Sequence, residues 1–151
     1  MTEAASPLGT VGMVAISFYV SDLDAAIAWY AEKLGFQPMS VGADGHRFAA
    51  YSIGGAVVVL EPIEAALEPA RPASENTTLN VMIDLDPAEV RAELVSRGVS
   101  CGDLAPSPNY LSFLVRDLDR NRFYISRAVT EGARRAVEET AAAMAPPSTA
   151  G

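Results

Sequence analysis

A chain of 151 residues, 50% hydrophobic and 20% charged, has the size and composition of one folded domain and is too apolar for global disorder. Its net charge of −8, from 19 acidic against 11 basic residues, repels phosphate backbones and anionic membrane surfaces, so neither nucleic acid nor membrane is an expected partner. A single histidine, His46, and a single cysteine, Cys101, exclude a zinc finger, an HExxH helix and an intrachain disulfide, and the lone thiol fits a reducing cytoplasm.

Residues 1–10 are small and turn-rich and read as a flexible tail. Val11 to Val20 is apolar and β-branched, which predicts a strand. Ser21-Asp22-Leu23-Asp24 offers an N-cap, and Ala26, Ile27, Tyr30 and Leu34 recur at helical spacing up to Gly35, a natural C′ residue. After a polar turn containing Gly42, Asp44 and Gly45, Arg47 to Ile53 and Ala56 to Leu60 read as two strands joined by Gly54-Gly55. Pro62, Pro69 and Pro72 mark Glu61 to Asn76 as a crossover, with residues 69–76 as its linker.

The pattern then restarts. Thr78 to Ile83 is a predicted strand. Asp84-Leu85-Asp86-Pro87 opens a helix with Val90, Leu94 and Val95 as its stripe, and Gly98 closes it. Tyr110 to Val115 and Arg122 to Ser126 are predicted strands around a turn from Arg116 to Asn121. An amphipathic helix over 129–145 follows, stopped by Pro146-Pro147, with 146–151 as a second flexible tail. Gly35 and Gly98 lie 63 positions apart, as do Val20 and Ile83. Two copies of one strand–helix–strand–strand unit, over 11–68 and 77–128, account for that period, which outranks local propensity as fold evidence.

Three ordered motifs sit on this repeat: Val14 to Phe36 (VAISFYVSDLDAAIAWYAEKLGF), Leu79 to Val99 (LNVMIDLDPAEVRAELVSRGV) and Asp117 to Ile125 (DLDRNRFYI). Together they resemble the vicinal oxygen chelate superfamily, which includes glyoxalase I, bleomycin-resistance proteins and extradiol dioxygenases. The first motif is similar to the family's strand followed by "xxDLxxAxxFYxxxLGF", with Trp29-Tyr30 at the aromatic pair. The third is similar to its "DPDGNxxE" turn and final strand. The pattern comes nearest to bleomycin-resistance-like members. The resemblance implies an α+β fold, in which two βαβββ modules form curled mixed sheets around a shared cavity. The additional C-terminal helix is this chain's own, and a homodimer is implied.

In enzyme members of that superfamily, four cavity-facing residues, usually His and Glu, hold a divalent metal. The resemblance puts those places at Ala15, Thr78 and Tyr124, with the fourth near Val58. Such a set lacks the donors a divalent ion needs, so neither a metal nor another cofactor is expected. Period-two alternation then adds neighbours on the same faces. Ser17 and Tyr19 join Ala15, Asn80 and Met82 join Thr78, and Arg122 and Ser126 join Tyr124. Over 47–53 either Arg47, Ala49 and Tyr51 or Phe48, Ala50 and Ser52 face the cavity. The candidate ligand-binding set is Ser17, Tyr19, Arg47, Tyr51, Thr78, Asn80, Met82, Tyr110, Arg122 and Tyr124.

Phenols, an amide, hydroxyls and a guanidinium in an otherwise apolar wall suit a small organic ligand, aromatic or polycyclic, held by stacking and a few hydrogen bonds. The expected function is therefore that of a metal-free small-molecule-binding protein. One alternative is a metal-independent cyclase, isomerase or lyase of secondary metabolism, with Tyr19, Tyr124 or His46 in acid–base roles. A second is a divalent-metal lyase or dioxygenase with displaced ligands. Plain structural roles compete at each position. The two phenols can fill a core, and Arg122 can pair with Asp117 or Asp119. His46 and Glu61 can simply face water, and Trp29 and Tyr30 can be core aromatics. The pairs Asp22/Asp24, Asp84/Asp86 and Asp117/Asp119 read as caps and turns. Cys101 has no basic neighbour in sequence to make it a nucleophile.

Overall fold

The first strand, β1 (Ala15–Val20), starts later than its apolar run, leaving Met13 and Val14 exposed ahead of it. Asp22 is extended and accepts the Ala25 amide at 3.0 Å, which caps α1 (Leu23–Trp29). The helix continues as a π-helical turn over Tyr30–Leu34 and stops at Gly35, whose φ of 73° is left-handed, the conformation glycine adopts at least cost. Then come β2 (Ser40–Val41), β3 (Ala49–Ile53) and β4 (Ala56–Pro62). Glu61 and Pro62, expected to begin the crossover, are the end of β4. Sheet one has the order β1-β4-β3-β2, with β1 and β4 parallel and the other pairs antiparallel.

The second module repeats the plan with β5 (Leu79–Met82) and α2 (Pro87–Ser96), capped by Asp86 through the Ala88 amide. Short β6 (Ser100–Cys101) and β7 (Ala105–Pro106) precede the long hairpin of β8 (Tyr110–Arg116) and β9 (Arg122–Ala128). Sheet two has the order β5-β9-β8-β6, with β7 also on β8, and β5 parallel to β9. Along α2, Pro87 and Leu94 are buried, but Val95, expected in the stripe, is 47% exposed because it lies one position round from Leu94. The C-terminal helix is α3 (Glu131–Met144), which packs on β9. This computed structural model describes residues 7–9, 13–42, 45–66 and 78–144. Most of the expected N-terminal tail, Asp44, the linker 69–76 and Pro146-Pro147 lie outside the described residues.

The fold is thus mixed α+β, two curled and unclosed mixed sheets with a C-terminal helix. Its core lies on the helix-facing sides of the sheets, and those sides merge. The Phe18 ring meets that of Phe123 edge-on at 5.5 Å, and Tyr30 packs on Phe123 at 6.0 Å and on Tyr51 at 5.6 Å. Polar links join the modules at the same seam: Asp119 accepts the Ser21 amide, and Tyr30 bonds Asp117. The opposite faces of the two sheets stay open.

Candidate functional site on the open sheet faces

Strand register decides which side chains share those open faces. In β1 and β4, Ala15 pairs with Val57, Ser17 with Val59 and Tyr19 with Glu61. Ala50 and Ser52 of β3 adjoin Val59 and Val57. The open face of sheet one therefore presents Ala15, Ser17, Tyr19, Val59, Glu61 and Ser52. Tyr19 is 37% exposed there, and its carbonyl accepts the Asn121 side-chain amide at 3.3 Å.

Two expected wall residues of this module lie elsewhere. Tyr51 pairs with Val58 on the helix-facing side and is 1% exposed, because its ring packs on Tyr30. Arg47 precedes β3 and reaches Asp24 at 2.6 Å on the surface. Val58, fully buried, likewise belongs to the core face, so the family's fourth ligand place passes to Val59. The repeat agrees. Ser17 pairs with Val59 as Asn80, 63 positions on, pairs with Tyr124. Glu61, expected to face water at a strand end, lies on the open face of sheet one. It is half-buried there beside Tyr19. Alternation from Val57 and Val59 puts it on that face.

On sheet two, Asn80 pairs with Tyr124 and Met82 with Ser126, while Leu114, Ser112 and Arg116 of β8 face Tyr124, Ser126 and Arg122. Tyr110 continues that row at the end of β8. Asn80 and Met82 are exposed, and Tyr124, Tyr110 and Arg122 are half-buried. Ser112 and Ser126 share a hydrogen bond of 2.8 Å. The candidate residues thus fall into two groups, Ser17 and Tyr19 on one sheet and Thr78, Asn80, Met82, Tyr110, Arg122 and Tyr124 on the other. His46 joins neither. It is exposed in the turn before β3, its ring 5.0 Å from that of Phe48. Trp29 and Tyr30 are core aromatics. Burial pushes the Cys101 thiol up, with Arg91 pulling the other way by less, so the thiolate a nucleophile needs is disfavoured.

The family's metal does not fit the residues that stand at its places. Ala15 and Val59 have no donor atom, and Thr78 and Tyr124 add one hydroxyl and one phenol, a set unlike the carboxylates and imidazoles that hold divalent cations. Among the described residues, no three His, Cys, Asp or Glu side chains come together to hold an ion. What the faces do offer is aromatic and aliphatic surface with scattered hydrogen-bonding groups.

A family model described as the Glyoxalase/Bleomycin resistance protein/Dioxygenase superfamily matches residues 12–142. The chain belongs to that superfamily. Solved structures agree on the fold. A superfamily member from Sphaerobacter thermophilus DSM 20745 superposes with a TM-score of 0.67 at 20% identity, covering 78% of this chain and 98% of that one. TnmS3, an antibiotic binding protein from Streptomyces sp. CB03234, gives 0.63 at 21% identity over 79% of this chain and 97% of its own. TioX from Micromonospora sp. ML1 gives 0.61 at 18% identity over 79% and 100%. No curated protein matches the chain by sequence. Among the described residues, no helix is long and apolar enough to cross a membrane.

Proposed function

We propose that this protein is a metal-free binding protein for a small organic ligand, aromatic or polycyclic, which the open sheet faces hold without transforming it. One observation carries the reading. The superfamily's four metal places hold Ala15, Val59, Thr78 and Tyr124, while around them Tyr19, Met82, Tyr124 and Asn80 offer stacking surface and hydrogen bonds. The likeness to an antibiotic binding protein supports the ligand class, and the net charge of −8 favours a cationic ligand over an anionic one at long range. A cytoplasmic site of action without nucleic acid as partner accords with that charge.

The protein works as a homodimer in this reading. Exposed Tyr19 and Met82 and the half-exposed valines of β4 form apolar faces that a second copy would cover, enclosing the ligand between modules. The test uses chelator-treated full-length protein, a panel of aromatic natural products and native mass spectrometry. A one-to-one complex per chain, a two-chain mass and ligand recovered unchanged are expected. A converted product, or binding that returns only with added divalent metal, would overturn the proposal.

A further inference from the structure

A second concavity lies on the other side of sheet two, where β8 and β9 run out against the start of α2 and the first turns of α3. It has a volume of about 290 Å³, with Pro87, Leu111, Ala128 and Val129 as apolar lining and Asp86, Arg127 and Arg134 as charged lining. Arg127 is the register partner of Leu111 on the helix-facing side of the sheet. Arg134 comes from α3.

Neither guanidinium forms an ion pair or hydrogen bond among the described residues; Arg116 and Arg120 likewise show none, while Arg47, Arg91, Arg97 and Arg135 each have a carboxylate within 4.0 Å. The side chains of Arg127 and Arg134 are both exposed, and what sets them apart is that they line the same concavity. The acid in the lining, Asp86, is turned to α2, where its Oδ1 accepts the Ala88 amide at 2.9 Å. The repeat supplies an internal comparison. Val20 pairs with Pro62 in module one, and the same register in module two sets Ile83 beside Arg127. Module one thus has proline where module two has arginine, and α3, which supplies Arg134, lies outside the repeat altogether.

We propose that this cavity binds a small organic oxyanion. Its carboxylate or phosphate group faces the forks of Arg127 and Arg134, whose planar donors match such groups in pairs, and its apolar part lies on Leu111 and Val129. The volume, at the lower end of the ~300–1,000 Å³ typical of ligand pockets, suits a metabolite-sized molecule rather than a polycyclic one. The site is separate from the open sheet faces, so it stands or falls independently of the function proposed for them.

The experiment titrates ¹⁵N-labelled full-length protein with benzoate, with inorganic phosphate and with neutral benzyl alcohol at constant ionic strength, following the amides of Val129, Gly132 and Ala133. Saturable shifts with benzoate or phosphate and none with benzyl alcohol are expected. Arg127→Gln and Arg134→Gln should each weaken binding by about tenfold or more, and the folded double variant should lose it. Arg97→Gln, whose guanidinium pairs with Glu93 on α2, should titrate like the parent. Absence of saturable shifts with both anions, an equal response to benzyl alcohol, or unchanged binding by the double variant overturns the proposal.

Discussion

The phenol of Tyr30 donates to Asp117 Oδ2 at 2.7 Å, joining residues 87 positions apart and tying the helix of module one to the β8–β9 turn of module two. Asp117 is 7% exposed and carries three further donors: the amides of Asp119 and Asn121 on Oδ1, and the Asn121 side chain on Oδ2. A buried carboxylate is tolerated only when so surrounded. Tyr30→Phe removes one donor of the four and leaves the ring packing on Phe123 and Tyr51. The expected loss is about 1.5–3 kcal/mol, the range for a hydrogen bond to a charged group. Urea unfolding at pH 7 measures it, and an unchanged midpoint would show that the link between modules contributes nothing.

The same phenol makes an alkaline prediction. Burial first, and Asp117 second, push the Tyr30 pKa far above the ordinary tyrosine value of ~10. Below that value the phenol is protonated in both folded and unfolded chains, and it contributes its full stability. Above it the unfolded chain releases the proton and the fold does not, so stability falls as pH rises, by about 1.4 kcal/mol per pH unit for one such group. Tyr51, also raised by burial, adds to the slope. Urea midpoints from pH 8 to 11 should therefore fall less steeply in Tyr30→Phe than in the parent, and the gap between the two should narrow. Parallel lines would contradict the assignment.

Local signals made much of this fold readable. Asp22, Asp86, Gly35 and Gly98 cap their helices as their positions imply, because capping depends on residues two to five apart. Once one residue per strand was placed, alternation put Ser17, Tyr19, Asn80, Met82 and Tyr124 on open faces. Alternation fails where both faces of a strand are equally apolar. Over 47–53 alanines stand on both sides, and the contact that turns Tyr51 inward is with Tyr30, on another element. Asp117 was readable as a turn residue, but its bond to Tyr30 spans two modules and leaves no mark in its neighbours. Glu61 was read as crossover because of the proline after it, whereas Pro62 is the residue on which β4 ends.

Two glycines should respond to alanine in opposite ways. Gly42 sits under the Phe48 ring and against the His46 carbonyl, so a methyl group would collide with both, and its amide donates to the Phe48 carbonyl at 2.9 Å. Gly42→Ala should cost about 1–3 kcal/mol, as overpacking does, and should shift the Phe48 resonances. Gly132, in the first turn of α3, has open space where a Cβ would stand and no left-handed φ. Gly132→Ala should stabilise by about 0.4–1 kcal/mol through loss of freedom in the unfolded chain. Thermal melts of the two variants beside the parent decide both signs.

The face assignment of β4 has the sharpest test, because neighbouring valines differ completely in surroundings. Val58 is fully buried against the core, while Val59 is half-exposed on the open face between Ser17 and Ala50. A glutamate at Val58 would place a carboxylate among Tyr51, Leu60 and the merged core with no donor to receive it. Val58→Glu should cost about 4 kcal/mol or more and leave little folded protein at 37 °C. At Val59 the same side chain lies outside the packed core, beside Ser17 on the face that the proposed dimer covers. Val59→Glu should therefore cost the fold of each chain no more than about 1 kcal/mol while weakening the dimer. It would also put a carboxylate at the place where the superfamily's enzymes carry a metal ligand. Circular dichroism melts of the two variants compare them directly. Equal losses, or a greater loss at Val59, would reverse the face of β4 and with it the residues assigned to the open side of sheet one.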